Sequence, residues 1–294
     1  MGIIKKSGNL KGFIYAGLAA ALYGLIPYFS KTIMLEGYGT DIILAYRYLL
    51  AALIYVAYVV VRRIDVRISW AAFAEVLGIA LLCMAPTAYF FMLSFNYIPT
   101  GVATAVSFLY PVVVALLMSW FYKQQLSVAV KIGILLSVAG VAMVSWMQGK
   151  IQFLGILFAL LSAITYGVYF VVLNRPRLKN MRSEVMIFYV LLLGGVGFSL
   201  FSVFTGHMKL ILEPDFLFNS GMLALVTTIF ATFLLLKAVL LVGSVATSVM
   251  GTLEPLTAML IGVLHFGEKL IWANYVGFLL ILIGVILVMV PKKT

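Results

Sequence analysis

The chain has 294 residues, of which 65% are hydrophobic and only 10% charged, with a mean hydropathy of +1.18. A soluble domain of this length could not hide so much apolar surface, so the composition is that of a membrane protein. The formal charge of +11 does not point to nucleic acid, because the basic residues sit between apolar runs and no basic domain carries them.

A helix needs about 20 residues to cross a hydrocarbon core about 30 Å thick. Ten runs of that kind are predicted, near 12–34, 41–61, 70–95, 101–121, 128–147, 153–173, 184–204, 218–241, 246–265 and 271–290. The first follows Lys5, Lys6 and Lys11 but is too long for the apolar part of a signal peptide, so it is read as an uncleaved span. It carries Tyr23-Gly24 and Pro27. Span two carries Arg47, about six residues from its outer end, where a long stem could still reach the interface. Span three opens near Glu75 and holds Pro86, Tyr89 and the single cysteine, Cys83, which reads as a packed small hydrophobe. Span four holds Ser107, Tyr110 and Pro111. After span five and span six, the latter with Tyr166-Gly167, comes the basic, proline-bearing linker 174–183. The loop 205–217, with His207, Lys209, Glu213 and Asp215, reads as solvated. Lys237 lies near the inner end of span eight. Span nine carries Gly251, Glu254 and Pro255, with His265 near its outer end.

The chain contains itself twice. Residues 100–144 align with 244–288 at an offset of 144: Pro111 meets Pro255, Gly133 meets Gly277 and Gly140 meets Gly284. A second stretch aligns at 143, with Gly12, Ala16, Tyr23 and Gly24 meeting Gly155, Ala159, Tyr166 and Gly167. The halves are assigned to residues 1–149 and 150–294. Trp70, Trp120, Trp146 and Trp272 all fall at span ends, where an aromatic belt belongs.

Orientation follows from Lys and Arg. With the N-terminus inside, fourteen of the 20 basic residues lie inside and four (Lys31, Lys150, Lys209, Lys269) lie outside, so both termini are assigned to the cytoplasm. Five spans per half is an odd number. The second half therefore enters from the opposite side, and the halves are expected to be inverted, the usual architecture of secondary transporters.

Polar groups and helix breakers at membrane depth mark a candidate site. Pro27, Pro86, Pro111 and Pro255 each remove a backbone donor and free a carbonyl one turn back. For the repeat-equivalent pair Pro111 and Pro255, those carbonyls belong to Ser107 and Gly251. Glu254 lies about nine residues into its span, roughly 13 Å deep at 1.5 Å per residue. An intramembrane acid costs on the order of 3 kcal/mol on insertion scales and is a functional hypothesis by default. Three roles stay open for it: proton carrier, ligand for a cationic group, or structural acceptor. Tyr110 is its repeat counterpart. Candidate cavity residues are therefore Glu254, Tyr110, Tyr23, Tyr166, Arg47, Tyr89 and Ser107, with Pro27, Pro86, Pro111, Pro255 and Gly251 as helix breaks. No metal-ligand cluster, Walker loop, CxxC or Ser–His–Asp set is present, so no catalytic residue, metal or cofactor is assigned and the chain is not read as an enzyme.

These features resemble the drug/metabolite transporter superfamily, in particular its EamA-type members. The resemblance rests on AGLAAALYGLIPYFSK, AYRYLLA, the block from Asn96 to Val141 and its second copy from Leu241 to Val285. The second copy has the Glu-Pro and Gly-Glu pairs of that family at Glu254-Pro255 and Gly267-Glu268. The first copy departs from it, with Tyr110 in place of the acid and Lys123-Gln124 in place of Gly-Glu. The resemblance implies export of a small organic solute, such as an amino acid, a related metabolite or a drug. The cavity is expected between spans one to four and six to nine, with five and ten peripheral. The expected partners are the solute, the lipid bilayer and protons as candidate coupling ion, with no nucleic acid. A monomer in a prokaryotic plasma membrane is expected. The alternative is a non-transporting membrane protein on the same fold, either a receptor or assembly factor or a lipid enzyme.

Overall fold

The computed structural model describes residues 6–123, 125–147 and 150–289. The basic terminal residues Lys5, Lys292 and Lys293 lie outside these, as do Gln124 and the side chain of Trp146.

Apart from a two-residue ladder, β1 (Trp146–Met147) against β2 (Lys150–Ile151), the described residues form helices and their connections. Span one is α1 (Lys6–Tyr23) and α2 (Ile26–Leu35), and span two is α3 (Thr40–Val61). Span three is α4 (Trp70–Ile79), a π-turn at Ala80–Met84, and α5 (Ala85–Ser94). Span four is α6 (Thr100–Ser107) and α7 (Tyr110–Tyr122), and span five is α8 (Val128–Ser145). Span six is α9 (Phe153–Val172). A short α10 (Pro176–Lys179) leads to span seven, α11 (Ser183–Phe204). Span eight is α12 (Pro214–Ala224), a π-turn at Leu225–Phe230, and the first part of α13 (Ala231–Met250). Gly243, at φ 83° and ψ 164°, turns the chain inside α13. Span nine therefore starts within α13 and continues as α14 (Leu253–Leu264), and α15 (Trp272–Met289) is span ten.

Among the described residues, eight helices are long and apolar enough to cross a membrane, and Val128–Val144 and Leu253–Leu264 are shorter apolar helices. Of the ten expected runs, span five is a shorter helix. Span nine is interrupted at Gly251-Thr252, and its first half is joined through Gly243 to the helix before it. The chain is a multi-pass membrane protein of all-helical fold.

The breaks follow the prolines. Pro27, Pro111 and Pro255 each stand at the start of the helix that resumes after an interruption, and Pro86 stands just beyond the first π-turn. The carbonyl of Gly251, freed by Pro255, accepts from the backbone N–H of Glu254 at 2.9 Å. The π-turn of span eight contains no proline. There Thr227 and Thr228 both donate their hydroxyls to the Leu223 carbonyl, at 2.8 and 2.9 Å, and widen the turn from within.

The principal helix contacts are α8 with α15, α1 with α13, α3 with α11, α5 with α9, and α6 with α14. In span numbers these are five with ten, one with eight and nine, two with seven, three with six, and four with nine. The tightest is built on glycines. A Cβ on Gly140 would stand 2.6 Å from the carbonyl oxygen of Gly277, and one on Gly133 would stand 2.5 Å from that of Gly284. The two helices therefore run antiparallel with backbones in contact, as small residues allow in lipid. The side chains of Trp70, Trp120 and Trp272 remain 81%, 77% and 72% exposed at the helix ends, available to an interface.

Candidate solute site

The repeat-matched glycines Gly24 and Gly167 make two equivalent close approaches. A Cβ on Gly24 would meet the Glu254 carbonyl oxygen at 2.7 Å and Thr257 Cβ at 2.6 Å. A Cβ on Gly167 would meet Val113 Cβ at 2.9 Å and the Tyr110 carbonyl oxygen at 3.4 Å. Gly24 and Gly167 are counterparts at offset 143; Glu254 and Tyr110, like Thr257 and Val113, are counterparts at 144. Each crossing lies beside a helix break, so the chain places a carboxylate at one and a phenol at the other.

Aromatic rings gather around them. Tyr110 lies edge-on to Tyr166, centroids 4.7 Å apart, and stacks on Phe170 at 5.2 Å. Tyr166 stacks on Tyr169 at 5.8 Å. The Glu254 carboxylate interacts electrostatically with the phenols of Tyr23, Tyr110 and Tyr166. Glu254 is only half-buried, and among the described residues no side chain donates to its carboxylate. An acid in the first turn of α14, at the break in span nine and so poorly supplied with donors, is a candidate ligand-binding group.

Across from it, Tyr23 shares a hydrogen bond of 2.9 Å with the Thr232 hydroxyl. Arg47 is buried, and its Nε donates to Thr228 Oγ1 at 3.1 Å, in the π-turn of span eight. Its guanidinium lies 5.9 Å from the centroid of the Tyr48 ring. Arg47 therefore points inward instead of reaching for the interface. It forms no ion pair with Glu254 or with any other described carboxylate. The Ser107 hydroxyl donates to Ser162 Oγ at 2.7 Å, joining span four to span six.

Glu254, Tyr23, Tyr110 and Tyr166 are thus brought together, with Arg47 linked to them through Thr228, Thr232 and Tyr23. Tyr89 stands apart, edge-on to Phe201 at 5.5 Å, with Asp41 and Tyr97 as its electrostatic neighbours. Lys237 is exposed, with its ammonium 4.4 Å from the Phe233 centroid, as snorkelling requires. Glu75 lies beyond the first turn of α4 and pairs with Arg177 at 2.8 Å. Of the recorded surface clefts, one lies between α2 and α14 and one beside Arg62, Arg63 and Arg182; neither contains Glu254.

Sequence reasoning did not find Thr228, Thr232 or Phe170. Thr228 and Thr232 carried a signal, since hydroxyls four residues apart share one helix face. The loop after span seven is exposed at His207, Lys209, Glu213 and Asp215, as read from the sequence, and it is also pinned. His207 Nδ1 lies 2.9 Å from Asp41 Oδ2, Tyr46 donates to the Lys209 carbonyl at 3.1 Å, and the Ile211 N–H donates to the Tyr46 hydroxyl at 2.8 Å.

The model of the EamA-like transporter family matches the chain twice, over residues 10–146 and 153–290. No curated protein matches. A solved structure described as "Crystal structure of protein" is similar with a TM-score of 0.66 at 18% identity, covering 96% of this chain and 96% of that one. That likeness shows a common fold.

Proposed function

Because the chain belongs to the EamA-like transporter family, we propose that it is a secondary transporter exporting a small organic solute by alternating access. The halves are residues 1–149 and 150–294, inverted about a pseudo-two-fold axis, in ten spans with both termini cytoplasmic. The antiparallel run of α8 against its own repeat counterpart α15 supports inversion. So does the mapping of the Gly140–Gly277 contact onto Gly284–Gly133. The membrane is a prokaryotic plasma membrane and the working unit a monomer.

The observation that carries this reading is Glu254, half-buried at the repeat crossing, without a described donor, among Tyr23, Tyr110 and Tyr166. The solute binds between this cluster and Arg47, in classes that include amino acids, related metabolites and cationic drugs. Glu254 is the candidate proton carrier. The unpaired acid and the discontinuous helices around it are what a transporter midpoint calls for.

The test is flux in liposomes holding only this protein. Saturable, counter-transport-capable movement of amino acids, nucleosides, polyamines or cationic dyes is expected, driven by a pH gradient. Glu254→Gln should abolish the gradient-driven part. Full gradient-driven flux in the folded variant would remove the proton role. Absence of any flux with folded wild-type protein across that panel would count against transport itself.

A further inference from the structure

Lys31, at the end of span one, pairs with Glu268 Oε1 at 2.5 Å. The same carboxylate caps α6: the Thr100 N–H donates to Oε1 and Oε2 at 3.0 and 2.9 Å, and the Thr100 hydroxyl to Oε2 at 3.1 Å. The Glu268 side chain is 8% exposed. One buried acid thus ties the ends of spans one and four to the loop between spans nine and ten. The turn that delivers it needs Gly267, at φ 62°, and a hydrogen bond from the Glu268 N–H to the Gly262 carbonyl at 2.9 Å. A side chain at 262 would collide with the carboxylate.

The bundle is closed at this end. Here α6 packs along α14, with Gly101 against the backbone of Met259. The repeat counterparts of Lys31, Thr100 and Glu268 are Asn174, Ser244 and Gln124, which are all neutral. Gly267 corresponds to Lys123, which keeps the left-handed conformation at φ 51° although its glycine is gone. The turn has been retained and the charge has not.

We propose that Glu268, with Lys31 and Thr100, is the latch of the outer gate, and that its neutral counterpart at the inner end biases the resting protein toward the inward-open state. An inverted repeat makes the two gates equivalent by geometry, so their populations differ only through residues that break the symmetry. A charge-assisted network at one gate against neutral residues at the matched positions of the other is such a break. A two-state equilibrium moves by the difference in stabilisation of its two ends. This inference rests on the transport reading given above.

The test measures which gate is open, without solute. Met259→Cys, with Cys83→Ala, places a thiol in the seam between α6 and α14. It is labelled in right-side-out vesicles with a membrane-impermeant maleimide. Glu268→Gln is expected to raise the labelling rate several-fold. Gln124→Glu with Asn174→Lys, which leaves the outer latch intact and builds its equivalent inside, is expected to raise it as well. An unchanged rate in both variants would overturn the latch, and would leave transport standing where wild-type flux is present. Raised rates without solute flux in liposomes would leave the latch standing and count against transport. A lower melting temperature with unchanged labelling would make Glu268 a loop anchor and nothing more.

Discussion

The contact between α8 and α15 gives the sharpest prediction about the fold. Gly140→Ala would place a methyl carbon 2.6 Å from the Gly277 carbonyl oxygen and 2.8 Å from the Ile281 nitrogen. Both are backbone atoms, so no rotamer change relieves the overlap. Ordinary contact begins at 3.4 Å, so the helices must separate by about 0.8 Å along their tightest line. Overpacking of this kind costs about 1–3 kcal/mol. Gly284→Ala is the repeat-equivalent change, facing Gly133, and should cost a similar amount. The double variant should cost less than the sum, because a helix pair already moved apart has less to lose. The control is Gly78→Ala, where a Cβ would meet nothing within 4 Å. Thermal unfolding in one detergent, read by intrinsic fluorescence, compares these four variants with the wild type. A wild-type melting temperature in Gly140→Ala, or equal losses in Gly140→Ala and Gly78→Ala, would refute the close approach on which the antiparallel pairing rests.

Asp41→Asn removes the charge that holds Thr205 at 2.6 Å and His207 at 2.9 Å, and should loosen the loop after span seven by about 1–3 kcal/mol; faster hydrogen exchange at 205–211 is the readout, and unchanged exchange would refute it. Tyr46→Phe deletes both hydrogen bonds to the same loop and should act in the same direction, at about 1 kcal/mol per bond. Thr228→Val takes the Nε acceptor from buried Arg47, and should raise the KM for solute more than it lowers the maximal rate; Thr228→Ser, which keeps the hydroxyl, should behave as wild type. Equal kinetics in the two variants would mean that Arg47 does not need that partner.

What the sequence made legible here depended on repetition and on proline. Both leave marks that one chain displays without any partner. Gly24 and Gly167 could be matched at a fixed offset, and the structure places them at equivalent crossings beside Glu254 and Tyr110. Pro27, Pro111 and Pro255 marked three of the breaks, since proline lacks the N–H that would carry the preceding helix on and is tolerated in the first turn of the next. The π-turn at Leu225–Phe230 had no such mark. It arises from threonine hydroxyls competing for the Leu223 carbonyl, and threonine at those positions is equally compatible with an unbroken helix. Arg47 reads the same whether it snorkels or points inward, until Thr228, 181 residues away, decides the matter.

The pairing of Lys31 with Glu268 spans 237 residues and has no local signature. Its functional content nevertheless lay in the sequence, as a failure of symmetry. The first copy reads Lys123-Gln124 where the second reads Gly267-Glu268, and Asn174 stands where Lys31 does. In an inverted repeat the matched positions build two gates of one shape, and the mismatched positions determine which gate is closed at rest. Glu254 and Tyr110 show the same division at the centre, where equivalent crossings hold an acid on one side and a phenol on the other. A ligand entering between the two crossings would meet different groups on its two sides. A transporter whose halves matched at these positions would have no intrinsic preference between its two open states.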